Sequence, residues 1–296
     1  MKNTPKITYC LWFNKEAEEA ARFYTSVFKA EASPDTIYNT VDTPSGKEGT
    51  VLTVCFQVGD QEFMALNGGP EFTLNPSISF LVNCPAPEEV EILWQKLSEG
   101  GTVRMPLDRY PFSEKYGWIE DKFGVSWQLM FVPGAVPQKI VPTLIFANAL
   151  CGKTEEAIHY YLSVFKHAKT GTIARYSAGM EPDKEGNVMF ADFMLENQWF
   201  AAMDSARPHR FSFNEAISFI VHCETQDEID DYWENLSEGG KTLECGWLKD
   251  RYGVTWQVVP SVLPKLLQSQ DKEKSKRVMQ ALMKMVKLDM QTLEKA

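Results

Sequence analysis

Histidine is scarce in this chain. There are four in 296 residues, His159, His167, His209 and His222, and no two stand at a short ligand spacing. The six cysteines (Cys10, Cys55, Cys84, Cys151, Cys223 and Cys245) include no C-x-x-C pair and fall mostly within apolar, strand-like runs. Neither a zinc knuckle nor a disulfide framework is built that way, so reduced core thiols are expected. No basic block is present and the formal net charge is −10, which argues against tracking nucleic acid or an anionic membrane. No apolar run approaches spanning length. The opening residues Met1 to Lys6 hold no apolar leader core, so a cytoplasmic location is expected.

What the chain does have is a repeat. Trp118-Ile119-Glu120-Asp121-Lys122-Phe123-Gly124-Val125-Ser126-Trp127-Gln128 returns as Trp247-Leu248-Lys249-Asp250-Arg251-Tyr252-Gly253-Val254-Thr255-Trp256-Gln257. Each copy reads as strand, tight turn at Asp-x-x-Gly, then an alternating strand. Upstream, Glu18-Glu19-Ala20 matches Glu155-Glu156-Ala157, and Ser26-Val27-Phe28-Lys29 matches Ser163-Val164-Phe165-Lys166 at the same offset. The chain is a duplication.

Within each copy a second periodicity appears. A strand (Ile7 to Phe13), a helix (Lys15 to Phe28) and three strands are followed by another strand (Ile78 to Val82), a helix (Pro87 to Leu97) and more strands. Both second helices end in Ser-Glu-Gly-Gly, a glycine stop. Four βαβββ modules are thus predicted, with a longer loop in the first copy at Arg104 to Tyr116. The boundaries read as 1–136 for the first domain, 137–262 for the second and 263–296 for a tail. In the tail a charged linker, Gln270 to Lys276, precedes one amphipathic helix carrying Val278, Leu282, Met285, Val286 and Leu293. Its mixed charges suit packing on the second copy or on a partner chain.

Paired βαβββ modules with Phe-Tyr-x-Ser-Val-Phe after the first strand resemble the vicinal-oxygen-chelate superfamily of glyoxalases, bleomycin-resistance proteins and extradiol dioxygenases. Tyr110-Pro111-Phe112-Ser113-Glu114-Lys115-Tyr116-Gly117-Trp118, the Asp121 to Gln128 and Asp250 to Gln257 hairpins, and the tail Arg277 to Met285 are similar to its PhnB-like branch. That branch often carries the name 3-demethylubiquinone-9 3-methyltransferase domain. The resemblance implies an α+β fold of two tandem glyoxalase-like domains, each of paired modules in a cupped mixed sheet, with a C-terminal helix. It also leaves open an intramolecular pseudo-dimer or a homodimer. Methyl transfer from a nucleotide donor calls for a glycine-rich turn in a doubly wound sheet, and no such context is legible.

The superfamily's enzymes hold a divalent metal with His and Glu from sheet strands. By alignment, the first-strand position falls at about Tyr9 and Pro142, and the last-strand position at Gln128 and Gln257. Other donors on middle strands are Cys55, Asp192 and His222. This set departs from the catalytic pattern, so no metal or other cofactor is expected. A small hydrophobic or aromatic ligand in the cup is the expectation instead, with Gln128, Gln257, Trp118, Trp247 and Asp192 as the binding residues. Asp192 either faces the cup or is the outward residue of its strand; if Gln128 and Gln257 point inward, as the resemblance implies, Trp127 and Trp256 are core. The alternative is a metal-dependent lyase, isomerase or dioxygenase using Asp192, His222 and Gln257. A third possibility is that one copy only supports the other. Cys245 is the one candidate nucleophile, with Lys249 as the cation able to approach it. Arg104 and Arg109 read as loop charges.

Overall fold

The computed structural model describes residues 5–30 and 35–296; residues 1–4, where part of the leader reading falls, and 31–34 lie outside the described residues. Four modules follow in chain order. The first is β1 (Ile7–Phe13), α1 (Ala17–Val27), β2 (Asp35–Tyr38), β3 (Val51–Val58) and β4 (Gln61–Asn67). The second is β5 (Ile78–Cys84), α2 (Pro87–Ser98), β6 (Thr102–Tyr110), β7 (Ser113–Glu120) and β8 (Ser126–Phe131). The third is β9 (Ile140–Ala147), α3 (Thr154–Val164), β10 (Lys169–Arg175), β11 (Val188–Leu195) and β12 (Gln198–Ser205). The fourth is β13 (Ile217–Cys223), α4 (Gln226–Ser237), β14 (Lys241–Thr242), β15 (Trp247–Lys249) and β16 (Thr255–Pro260). No described helix is long and apolar enough to cross a membrane.

Local chemistry explains the shared stop after α2 and α4. Gly100 and Gly239 adopt φ of +73° and +71°, which suits glycine. The next glycine packs against the hairpin backbone: a Cβ on Gly101 would lie 2.4 Å from the Glu120 carbonyl, and one on Gly240 2.0 Å from that of Lys249. The first glycine turns the chain, and the second lets it pass the strand.

The sheets do not follow the sequence repeat. One eight-stranded sheet runs β14-β15-β16-β13-β1-β4-β3-β2, and the other β10-β11-β12-β9-β5-β8-β7-β6. β1 pairs antiparallel with β13 (Tyr9 opposite Phe219) and β5 with β9 (Phe80 opposite Pro142). Compact unit 1 therefore joins residues 1–73 to 214–296, and unit 2 is 74–213. The boundaries at 136 and 262 mark copies of sequence rather than compact bodies. The physical reason is burial: β1, β5, β9 and β13 are buried on both faces and need a strand on each side. Each obtains its second neighbour from the other copy.

The tail departs from the expected single helix. It forms α5 (Leu263–Leu267), α6 (Lys272–Leu282) and α7 (Met290–Lys295). The charged run read as a linker includes the first turn of α6. Asp271 caps it, its carboxylate accepting from the Glu273 and Lys274 amides at 3.0 and 3.2 Å.

Candidate functional site

Each sheet has one face under helices and one face turned away from them, called the cup side after the family resemblance. In unit 2, Tyr161 of α3 stacks on Phe193 of β11, and a Cβ on Gly117 would strike Trp94 of α2. Register carries that helix-covered face through Phe80, Pro142, Trp127 and Leu129. The opposite face then presents Ser79, Leu81, Tyr116, Trp118, Gln128 and Val141. In unit 1, Tyr24 of α1 stacks on Phe56, which places Tyr9, Phe63, Phe219 and Trp256 under helices. The cup side carries Thr8, Cys10, Ser218, His222 and Gln257.

The repeated hairpin is first a structural device. Asp121 accepts from the Phe123 and Val125 amides at 2.8 and 3.1 Å and from Trp127 Nε1 at 2.8 Å. Asp250 does the same for Tyr252, Val254 and Trp256 at 2.9, 3.1 and 2.9 Å. One buried carboxylate thus ties the turn to the core indole, and Trp127 and Trp256 are core as expected. The tie locks the strand's alternation, so the next residue, Gln128 or Gln257, must point into the cup.

On the unit 2 floor Gln128 is 4 % exposed. Its Nε2 donates to Ser79 Oγ at 2.7 Å, and its Oε1 accepts from the Tyr116 hydroxyl at 2.6 Å. Burial, with Tyr110 adding to it, drives the Tyr116 phenol well above its usual range, so it stays a donor. Leu81, Val141 and Ala201 complete the floor; Met105, Met130, Trp118, Phe190 and Trp199 form the wall. Trp118 is steered by Nε1 donating to Ser126 Oγ at 2.7 Å. Tyr110 and Phe112 stack at 5.7 Å and both meet Tyr116 edge-on, while Phe112 is left 62 % exposed at the rim. The stretch expected to be a loop is the β6–β7 hairpin that raises this wall. Tyr116 was not singled out from sequence; its register opposite Met130, two residues from Trp118, was the available signal.

The unit 1 cup repeats the amide. Gln257 Nε2 donates to Ser218 Oγ at 2.9 Å, but Cys245 stands where the first copy has Tyr116. The Cys10 thiol lies beside this pair and burial pushes it up to about 12, outweighing its bonds to Gln257 and Ser218. The tail lies over this floor. Leu263, Leu266, Leu267, Val278, Met279, Leu288 and Leu293 form one core with Cys10, Ile37, Ile220 and Val259, and Trp247 packs against it.

Other expected residues are placed differently. Tyr9 and Pro142 face the helices, and the cup-side residues of those strands are Thr8 and Cys10, and Val141 and Thr143. The one-residue correction follows from the strand period: alignment finds the strand, register finds the face. Asp192 is on the cup side of β11, but its carboxylate accepts the Thr172 amide beside the bulge between Thr170 and Ile173. It caps an N–H that the bulge leaves unpaired. Cys245 adopts φ +59° and its thiol is raised, chiefly by burial and then by Glu244. Lys249 pairs with Glu215 at 2.8 Å rather than with that thiol. Arg104 pairs with Glu120, and Arg109 is exposed on β6. His222 shares a 2.9 Å hydrogen bond with Thr8, and burial pulls its pKa down to about 4.

A divalent cation of the superfamily kind needs converging imidazole or carboxylate donors. Among the described residues, no three His, Cys, Asp or Glu side chains come together. The Gln128 amide is engaged at both ends, and the Asp192 carboxylate is engaged by the Thr172 amide. The residues present do not fit such a metal.

A family model described as 3-demethylubiquinone-9 3-methyltransferase matches residues 5–130 and again 138–259. No curated protein sequence matches the chain. Among solved structures, a PhnB protein from Bacillus cereus bearing that same methyltransferase description is 40% identical over 45% of this chain and 100% of its own, at a TM-score of 0.37. A mutant glyoxalase I from Zea mays, 12% identical, covers 87% of this chain and 95% of its own at a TM-score of 0.56. The glyoxalase likeness is one of fold. The chain belongs to the 3-demethylubiquinone-9 3-methyltransferase family, PhnB-like, and carries two tandem copies of its domain.

Proposed function

We propose that the protein binds a small, uncharged, largely apolar or aromatic molecule in the unit 2 cup. The observation that carries this is the Tyr116–Gln128–Ser79 chain of hydrogen bonds set into a floor otherwise made of Leu81, Val141 and Ala201. A buried polar relay in an apolar cup orients a ligand: the Ser79 hydroxyl keeps a proton to donate, and the Tyr116 oxygen keeps lone pairs to accept. Trp118, Trp199 and Phe190 supply flat apolar walls, and Met105 and Met130 can re-pack around the guest. Asp192, tied to Thr172 on the same face, shapes the far edge rather than touching the ligand.

The reading is one of binding without a metal, in the cytoplasm, by a chain whose crossed strand pairing works as a fused dimer. The methyltransferase description is not carried over, because neither sheet has the doubly wound order that a nucleotide methyl donor requires.

Titration of tryptophan fluorescence with neutral aromatic compounds, N-phenyl-1-naphthylamine among them, tests it. Saturable quenching unchanged by a chelator is expected, with Gln128→Leu weakening it about tenfold, the worth of one buried hydrogen bond. Binding that needs a stoichiometric divalent ion would overturn the reading.

A further inference from the structure

The two cups have the same amide floor but not the same occupancy. Above Cys10, Ser218 and Gln257 sit α5, α6 and α7, and their apolar side chains close the cup of unit 1. The tail is held by its edges. The Cys245 and Gly246 amides donate to the Met285 and Val286 carbonyls at 2.7 and 2.8 Å. Gln226 of α4 accepts from the Met290 amide at 2.9 Å and donates to the Leu288 carbonyl at 3.2 Å, and Lys287 pairs with Asp230 at 2.7 Å. On the other flank Thr40 donates to the Ser275 carbonyl at 3.3 Å and Lys276 pairs with Glu48 at 2.9 Å.

The fit has a defect. Thr53, 7 % exposed and opposite Ile37 and Leu66 on the cup side, has a buried hydroxyl with no hydrogen-bond partner. Aliphatic tail residues cannot satisfy it. A guest with one polar group on an apolar body could, and would then outdo the tail at that point.

We propose that the C-terminal segment is the resident, displaceable ligand of the unit 1 cup. The chain with its tail in place then offers a single open site, in unit 2. Release of α6 and α7 uncovers a second site for a small uncharged molecule that pairs a hydrogen-bonding group with an apolar body. The idea that unit 2 is the open site rests on the function proposed above; occupancy of unit 1 by the tail does not.

The test uses the whole chain and N-phenyl-1-naphthylamine, with Trp118→Phe and Trp247→Phe assigning the quenched cup. Wild type is expected to bind one equivalent, sensed by Trp118. Met279→Asp, which puts a charge into the tail core, is expected to bind two, the second sensed by Trp247. Thr53→Val, which removes the orphan hydroxyl at constant shape, is expected to raise Tm by a few degrees and slow hydrogen exchange of the 277–288 amides. Two equivalents on wild type, or a folded Met279→Asp that gains no site, overturns the proposal. If Met279→Asp does not fold, Leu288→Ala together with exchange of the 277–288 amides decides: the proposal falls if those amides exchange no faster in the variant than in wild type. If wild type binds none, the function proposed for unit 2 fails alone, and the tail proposal then stands or falls on whether Met279→Asp binds one equivalent.

Discussion

A single carboxylate in each hairpin ties the turn to the core. Asp250 joins the Tyr252 and Val254 amides to the Trp256 indole, so removing it orphans three buried donors at once. Asp250→Ala is expected to cost roughly 3 kcal/mol in denaturant unfolding, the range for buried hydrogen bonds to a charge. Asp250→Asn, keeping one acceptor, should cost less. His222 sets a pH dependence. Its imidazole is pulled from 6.5 down to about 4 by burial first and by Lys6 second. The unfolded chain therefore takes up that proton at higher pH than the folded one. Its contribution is complete above pH 6.5 and is lost as pH falls toward 4, by about 3 kcal/mol at most. Urea midpoints measured across that window should fall steeply for wild type and less steeply for His222→Gln; parallel curves would remove His222 from the account. Tyr116→Phe leaves Gln128 Oε1 without its phenol donor, with an expected loss of about 1 kcal/mol in stability and weaker ligand quenching.

At the scale of elements, the Gly-Gly stops and the β6–β7 hairpin decide what the cups look like. A Cβ on Gly240 would meet the Lys249 carbonyl at 2.0 Å, so Gly240→Ala must push α4 away from β15. The variant is expected to lower Tm and to loosen the unit 1 cup by exchange, while amides of unit 2 keep their protection. In the first copy the extra length before the hairpin is spent on β6 and β7, which carry Met105, Tyr110, Tyr116 and Trp118 as one wall. In the second copy β14 and β15 are short, and the tail stands in for the missing wall. Unequal strand lengths on equal floors thus give one cup that its own side chains line and one that a separate segment fills.

For the molecule as a whole, the crossed pairing of modules has a direct consequence. A fragment of residues 74–213 contains every strand of its sheet and is expected to fold as a monomer with a cooperative transition. A fragment of residues 1–136, the sequence domain, exposes the apolar edges of β1 and β5 and is expected to self-associate, as bare edge strands do. Size-exclusion chromatography of the two fragments checks this; a monomeric, folded 1–136 would contradict the pairing.

The duplication, the βαβββ modules and the glycine stops were all legible in the sequence. These depend on local periodicity and turn chemistry, which neighbouring residues settle among themselves. That Trp127 and Gln128 take opposite faces was legible too, from the strand period; burial of Trp127 then decides which of them turns to the core. Which face Tyr9 and Pro142 take was not, because a strand buried on both sides carries little alternation to read. Nor could the sequence choose the partner of β1. Two copies offer near-equal edges, and only long-range packing tells β13 from β5. The same holds for the tail: its apolar residues at helical spacing were readable, its break into three helices and its seat over Cys10 were not. The chain's residues determined the parts; tertiary structure alone decided which faces of the doubly buried strands meet the helices, which halves join and which sheet face the tail covers, because burial of apolar surface is non-directional and is settled by whichever surfaces meet.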